Sequence, residues 1–143
     1  MKITQISSFL ENKPGHLSSI CRTLAQADIN ILTLSLADTQ QFGILRLIVK
    51  DVEKAKKILT DTGFLINTTE VVAIEVEDQP GRLADILKVI EDAKLNVEYM
   101  YAFSFHSFNK AVLIFRFDEP DVAIQELSKN NVNILNSITL FGE

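Results

Sequence analysis

The stretch Glu11-Asn12-Lys13-Pro14-Gly15-His16-Leu17 returns once in the chain, as Glu77-Asp78-Gln79-Pro80-Gly81-Arg82-Leu83. The two Pro-Gly pairs are 66 positions apart (80 minus 14), a little under half of the 143 residues. Each pair follows a run with β-strand character and precedes a run with helical spacing of apolar residues. Proline fixes φ and glycine permits an unusual turn, so the chain can reverse from strand into helix at both places.

The first half of the chain predicts the element order βαββαβ. Strands are expected over four ranges: 3–10, 31–37, 42–49 and 64–70. The apolar residues after the first turn recur at the spacing of one helix face: Leu17, Ile20, Cys21 and Leu24. Asp51 is suited to cap a second helix, and Gly63 to end it.

The second half repeats this order of elements. Its strands are expected over 71–76, 97–105, 111–117 and 133–141. Asn30 aligns with Asn96 at an offset of 66 (96 minus 30), and beyond the hairpin turn Leu45 aligns with Leu113 at an offset of 68 (113 minus 45). Matching elements in the same order indicate an internal duplication.

The duplication predicts two small domains, residues 1–70 and residues 71–143. A domain of roughly 60–70 residues would be only marginally stable alone, so the two are expected to support each other. No linker composition separates them, because Thr68-Thr69-Glu70-Val71 runs nearly from strand to strand.

Composition and charge exclude several classes of partner. The net charge is -5 and no dense block of Lys or Arg occurs, so nucleic acid and anionic membrane surfaces are poor partners. Cys21 is the only cysteine, which excludes a disulfide framework and a cysteine zinc site. No run approaches the ~18 apolar residues of a membrane span. We expect no signal peptide, because no apolar run of the needed length follows Lys2. The expectation is a soluble cytoplasmic protein.

Alternation along the third strand of each half predicts a second apolar surface. If Leu45, Leu47 and Val49 face the helices, the opposite side of the sheets carries further apolar side chains: Phe9, Ile44, Ile48, Val112 and Ile114. A one-sided antiparallel sheet normally shows water a more polar face. We therefore expect two chains to stack sheet to sheet as a homodimer.

The repeated turn offers chemistry for a small zwitterion. The first N–H groups of a helix lack intrahelical partners and carry the positive end of its dipole, which suits a carboxylate. Gly15 and Gly81 would let a ligand approach the backbone closely. Two residues before each proline stands Asn12 or Asp78, whose oxygens can accept from an ammonium group. These groups together describe an α-amino acid, and a purely structural turn is the alternative.

The chain resembles the ACT domain family. The resemblance rests on the βαββαβ order, on the Asn/Asp-x-Pro-Gly-x-Leu turn, and on the segments Asp28-Ile29-Asn30-Ile31 and Lys94-Leu95-Asn96-Val97. It covers essentially the whole chain as two tandem copies, and ACT domains are regulatory modules that bind amino acids. It implies an α+β fold of two tandem ferredoxin-like βαββαβ domains, packed side by side through their second strands. The two would form one eight-stranded antiparallel sheet with four helices on one face.

The resemblance also implies a ligand site at the seam between the repeats. The implied ligand-binding residues are Asn12, Pro14, Gly15, His16, Leu17, Asn30, Asp78, Pro80, Gly81, Arg82, Leu83 and Asn96. The first turn would face Asn96, and the second would face Asn30. Asp78, which carries a true charge, is expected to hold the amino group better than Asn12. A family position that is sometimes polar is Leu10 here and Val76 in the second copy, which leaves the side-chain preference open.

Other functions have less support in the sequence. His16 and His106 lack the spacing of metal ligands and no nucleophile motif occurs, so we expect no cofactor, no metal and no catalytic residue. RNA-binding modules share this element order, but Phe115 and Phe117 occupy core positions. The expected function is a stand-alone regulatory protein that binds a free amino acid and signals to a regulated protein partner. The alternatives are a ligand-free dimerisation or interaction module and, with least support, a small ferredoxin-like enzyme.

Overall fold

The computed structural model describes residues 1–11, 13–38, 42–104 and 109–141. The chain divides into two compact units. The first unit is Thr4–Thr69, and the second joins Met1–Ile3 to the chain from Glu70 onward. Both units combine α-helices with antiparallel strands, so each has an α+β architecture.

The bounds of the elements follow the sequence pattern closely. The strands are β1 (Ile3–Glu11), β2 (Ile31–Asp38), β3 (Phe42–Val49), β4 (Ile66–Glu77), β5 (Val97–Ser104), β6 (Lys110–Phe117) and β7 (Ile134–Leu135). The helices are α1 (His16–Gln26), α2 (Val52–Asp61), α3 (Arg82–Asp92), α4 (Pro120–Lys129) and the short α5 (Ser137–Leu140).

Strand pairing within the units confirms the internal duplication. In the first unit β3 lies between β1 and β2, and in the second unit β6 lies between β4 and β5, in each case antiparallel to both neighbours. Leu10 pairs with Gly43, and its counterpart Val76 pairs with Ala111. Even the register shift recurs, between Ile31 and Thr33 in β2 and between Val97 and Tyr99 in β5.

Each unit has its own hydrophobic core on the helix side of its strands. The first core contains Leu45, Leu47 and Val49, as the alternation predicts. The second contains their counterparts Leu113, Phe115 and Phe117. Phe115 and Phe117 stack with their ring centroids 5.5 Å apart, and both are buried. The two aromatic rings therefore belong to the core and do not form an exposed platform for bases.

The four longer helices end in the same hydrogen-bonded turn. In α2, Phe64 N–H donates to Leu59 O and Gly63 N–H donates to Thr60 O, both at 3.0 Å, with Gly63 at φ 100°. This is the Schellman arrangement, which favours glycine at the left-handed position, so the prediction for Gly63 is confirmed. In α1, α3 and α4 the same position is held by a residue with a β-carbon, namely Asp28, Lys94 and Asn131.

The strand count differs from the prediction. The described residues form seven strands, where the sequence predicted eight. The expected strands 64–70 and 71–76 are one strand, the 12-residue β4. No turn-forming residue interrupts Thr68-Thr69-Glu70-Val71, so the extended chain continues without a break. Its first four residues belong to the first unit and the rest to the second.

The last predicted strand, 133–141, is wrong in most of its length. Only Ile134 and Leu135 pair with β4. The chain then forms α5, because Asn136 Oδ1 accepts a hydrogen bond from Thr139 N–H at 2.8 Å and caps the helix.

Three of the apolar side chains predicted on the opposite side of the sheets are fully buried in the single chain. Ile48, Val112 and Ile114 are all 0% exposed within the single chain. Their apolar character therefore gives no reason to invoke a second copy. Phe9, which was predicted to lie on the same surface, is 53% exposed.

Candidate ligand site at the second Pro-Gly turn

The two Pro-Gly turns share one backbone conformation. Gly15 has φ 93° and ψ -15°, and Gly81 has φ 89° and ψ -14°. Both are the N-cap residues of their helices and lie in the left-handed region, which strongly favours glycine. A β-carbon added to either glycine would meet no atom within 4 Å. The space beside each glycine is therefore open to a ligand.

The helices that follow these glycines begin without a side-chain cap. Among the described residues, no side chain accepts a hydrogen bond from the first turn of α1 or α3. In α2, by contrast, Asp51 Oδ1 accepts from Lys54 N–H at 3.1 Å, which confirms the predicted cap. His16 N–H donates to Lys13 O at 3.4 Å and Arg82 N–H to Gln79 O at 3.3 Å. The N–H groups that follow them in the first turn of α1 and α3 can donate to an anion at the positive end of the helix dipole.

A cleft of about 280 Å³ opens at the second turn, within the second unit. The turn and the start of α3 form one wall, and the ends of β5 and β6 form the other. Its polar lining residues are Glu77, Asp78, Gln79 and Arg82, and its apolar lining residues are Val76, Leu83, Ala102, Phe103, Ala111 and Leu113. The cleft therefore has a charged end at the turn and an apolar wall on the sheet.

Backbone hydrogen bonds hold the charged end in place. Asp78 N–H donates to Asn109 O at 2.6 Å, Gln79 N–H to Glu77 O at 2.9 Å and Arg82 N–H to Gln79 O at 3.3 Å. Arg82 Nη1 lies 3.5 Å from Asp85 Oδ2, in an exposed pair that leaves the other guanidinium N–H groups available. The carboxylates of Glu77 and Asp78 and the guanidinium group of Arg82 thus line the same cleft.

The first turn differs in its charges. Lys13 Nζ lies 2.7 Å from Glu11 Oε2. The hydrogen bond from Lys13, and then its charge, hold the pKa of the Glu11 carboxyl below its ordinary value, and Glu11 raises the pKa of Lys13 in turn. Gln79 takes the place of Lys13 in the second turn, so this ion pair has no counterpart there.

The structure brings together part of the predicted set. Asp78, Arg82 and Leu83 line the cleft, and Pro80 and Gly81 shape the turn beside it. In the first unit, Pro14, Gly15, His16 and Leu17 occupy the equivalent turn. Asn12 lies outside the described residues, as do His106 and Phe108.

Asn30 and Asn96 lie away from the turn of their own unit. Each follows the C-terminal end of an 11-residue helix that starts at that turn. Such a helix is about 16 Å long at 1.5 Å per residue. Neither asparagine can therefore contribute to the Pro-Gly turn of its own repeat.

The prediction missed the sheet wall of the cleft. Ala102, Phe103, Ala111 and Leu113 come from β5 and β6 and were not in the predicted set. The signal that could have found them is the hairpin register, because Ala102 pairs with Leu113 beside the end of β4. Ala102 and Ala111 are also small residues, which leave room for a ligand.

The described part of the chain contains neither a helix suited to span a membrane nor a cluster of metal ligands. No helix there is long and apolar enough to cross a membrane. No group of three or more His, Cys, Asp or Glu side chains in the same residues is placed to hold a metal ion.

Comparison with known proteins identifies the family. A family model described as an ACT domain pair matches residues 1–141. The chain belongs to this family. The ACT domain pair is similar to a Bacteroides thetaiotaomicron protein of known crystal structure, at 38% sequence identity and a TM-score of 0.92, over 99% of this chain and 96% of that one.

More distant structures share the fold. The regulatory subunit of aspartate kinase from Thermus thermophilus, in its ligand-free form, matches at 15% identity and a TM-score of 0.63, over 88% of this chain and 91% of that one. The corresponding subunit from Thermus flavus matches at 15% identity and a TM-score of 0.60, over 88% of this chain and 90% of that one. A comparison with curated proteins gives no match.

Proposed function

We propose that this ACT domain pair is a regulatory protein that binds a free amino acid, and that the cleft at the second Pro-Gly turn is the binding site. The observation that carries the proposal is the joint lining of that cleft by Asp78 and Arg82. A carboxylate and a guanidinium group complement the two charged groups of an α-amino acid. The open glycine and the uncapped helix start lie beside them.

Each charged group of the ligand has a complementary partner in the cleft. The ligand carboxylate accepts from the Arg82 guanidinium group and from the N–H groups that follow Arg82 in the first turn of α3, where the helix dipole favours a negative charge. The ligand ammonium donates to the Asp78 carboxylate. The hydrogen bond from Asp78 N–H to Asn109 O fixes the backbone that carries this carboxylate. A ligand whose carboxylate and ammonium groups are bound in this way places its side chain against the apolar wall of the cleft.

The family supports a regulatory role over a catalytic one. Two structural relatives are regulatory subunits of aspartate kinase. We propose that binding alters how this chain engages a regulated protein partner in the cytoplasm, and that the chain itself catalyses no reaction. The division into domains 1–70 and 71–143, the seam through the second strands, and the pairing of Asn30 and Asn96 with the turn of the opposite repeat all stay predictions.

A thermal-shift and calorimetric screen of the twenty amino acids tests the binding function. A ligand that binds only the folded chain stabilises it by RT ln(1 + [L]/Kd), about 2.7 kcal/mol at a hundredfold excess over Kd. One or a few amino acids should raise the melting temperature and give a calorimetric Kd. If none of the twenty does either, the proposal is wrong.

The Asp78→Ala variant tests the site. Loss of a charge-assisted hydrogen bond should weaken binding by about tenfold or more. The matched control is Asp92→Asn, which changes an exposed carboxylate at the other end of α3. Equal affinity of the Asp78→Ala variant and the unchanged chain would place the ligand elsewhere.

A second candidate function, a ligand-free interaction or dimerisation module, has one observation in its favour. Phe9 and Phe42 are 53% and 50% exposed in the first unit. They lie beside each other because Phe9 pairs with Ile44 and Glu11 with Phe42. Exposed aromatic side chains of this kind suit a protein contact. A screen without any stabilising amino acid, together with a stable homodimer, would favour this function.

A further inference from the structure

The two repeats differ at the position that borders the cleft, which is Ala102 in the second repeat and Leu36 in the first. In the first unit, Leu36 on β2 lies over Gly43 on β3. A β-carbon added to Gly43 would be 3.1 Å from Leu36 Cδ1, tighter than an ordinary van der Waals contact. The Leu36 side chain thus occupies the space beside Gly43.

The second unit has small side chains at the equivalent positions. Leu36 pairs with Leu45 in β3, and its counterpart Ala102 pairs with Leu113 in β6. Gly43 pairs with Leu10 in β1, and its counterpart Ala111 pairs with Val76 in β4. The registers match, so Ala102 takes the place of Leu36 and removes the larger part of its side chain. The cleft opens at this point.

The part of the cleft that Ala102 opens is apolar. Its walls there are Val76, Leu83, Ala111 and Leu113, and the charged residues lie at the turn. A charged ligand side chain pressed against this wall would lose water without gaining a partner, which is unfavourable. An aliphatic side chain would gain from the same burial.

We infer that the second-repeat cleft selects an amino acid with an uncharged aliphatic side chain, and that Ala102 is the residue that admits it. Leu36 occupies the space beside Gly43 in the first repeat, so we expect each chain to bind one such ligand, at its second repeat. This inference rests on the proposed function, because it names the ligand class of the same site.

Titration calorimetry of the full chain with six amino acids tests the ligand class. The aliphatic set is L-leucine, L-isoleucine, L-valine and L-methionine, and the charged set is L-aspartate and L-lysine. At least one aliphatic amino acid should bind about tenfold or more tighter than either charged one, with one ligand per chain. Tighter binding of aspartate or lysine would overturn the inference and leave the proposed function standing. No binding of any amino acid in the wider screen of twenty would overturn both.

Two exchanged residues test the role of Ala102. Ala102→Leu reproduces the first repeat and should weaken binding of the best aliphatic ligand by about tenfold or more, since a small volume change decides access to an apolar pocket. Leu36→Ala makes the reverse change in the first repeat and should leave that ligand's affinity within about twofold. Far-UV circular dichroism checks the fold of both variants, and Ala102→Val, which adds two carbon atoms rather than three, should weaken binding by less than Ala102→Leu. Unchanged affinity in Ala102→Leu, or a tenfold loss in Leu36→Ala, would overturn the inference.

Discussion

The backbone N–H of Asp78 donates to the carbonyl oxygen of Asn109 at 2.6 Å. This bond joins the second Pro-Gly turn to the residue that precedes β6. Asn109 has φ 55°, a left-handed conformation that asparagine tolerates better than most residues with a β-carbon. The position of the Asp78 carboxylate therefore depends on the backbone of the neighbouring hairpin as well as on its own turn.

Substitution at Asn109 should act on the site through the backbone. Asn109→Val places a β-branched residue in the left-handed region and should lower the free energy of unfolding by about 1–2 kcal/mol. Ligand affinity should fall with it, because the partner of Asp78 N–H moves. Asn109→Gly keeps the conformation and should retain affinity. Urea unfolding and calorimetry measure the two quantities, and equal binding by both variants would contradict the expectation.

Gly15 and Gly81 allow stability to be separated from binding. Alanine at either position meets no atom within 4 Å, so the cost comes from the backbone conformation alone. Gly15→Ala and Gly81→Ala should each lower the free energy of unfolding by about 1–2 kcal/mol. Only Gly81→Ala should also weaken binding of the amino acid ligand. Loss of binding in Gly15→Ala alone would place the site in the first repeat.

Glycine at the end of α3 should stabilise the fold. Lys94 sits at the left-handed position with φ 56°, and its N–H donates to Glu91 O at 3.0 Å. Lys94→Gly relieves the β-carbon strain, offset in part by a more flexible unfolded chain, and should raise the free energy of unfolding by about 0.5–1 kcal/mol. The matched control is Gly63→Ala at the equivalent position of α2, and this change should lower the free energy of unfolding. Urea denaturation of both variants gives the values, and a loss of stability in Lys94→Gly would contradict the reasoning.

The ion pair of the first turn should be visible in a pH titration. Hydrogen bonding to Lys13, and then its charge, lower the pKa of Glu11. The pair therefore stabilises the fold above the unfolded pKa of Glu11, and this contribution is lost as the pH falls through the lower, folded pKa. The effect on stability should be small, because both side chains are exposed. NMR titration of the Glu11 carboxyl carbon should show a higher pKa in Lys13→Ala, and an identical pKa in both chains would rule the pair out.

The exposed side chains of Phe9 and Phe42 are the surface through which we expect the predicted homodimer to form. Light scattering at micromolar concentration should give about twice the 16.0 kDa of one chain if two chains associate. Phe9→Ser should shift the mass toward one chain, and Leu65→Ser, a matched change at an apolar side chain that is 73% exposed, should not. A monomer in the unchanged chain would end this prediction.

Much of the fold could be predicted because local patterns and packing agree. Leu45, Leu47 and Val49 alternate along β3 and do face the core. The C-terminal strand was mispredicted because its apolar residues suit either a strand or a helix. The Asn136 cap, a single hydrogen bond to Thr139, decides for the helix. A four-residue helix is too short for the periodicity of its apolar residues to reveal it in the sequence.

The site could be predicted at the turn but not at the sheet. Pro80, Gly81 and Asp78 form a local pattern, so the sequence reveals them directly. Whether a cleft exists beside them depends on how far the facing side chain reaches from the next strand. Leu36 and Ala102 occupy aligned positions, yet only contact distances show that the leucine takes up space next to Gly43.

Strand β4 serves the second core at alternate positions. Val72 and Ile74 lie in that core and Val76 packs against it, because side chains on a strand point alternately to opposite sides. One residue inserted between Val72 and Val76 would turn part of this set toward the wrong side, whereas two inserted residues would preserve the pattern. In evolution, this stretch of the second repeat is therefore expected to change in length in steps of two residues.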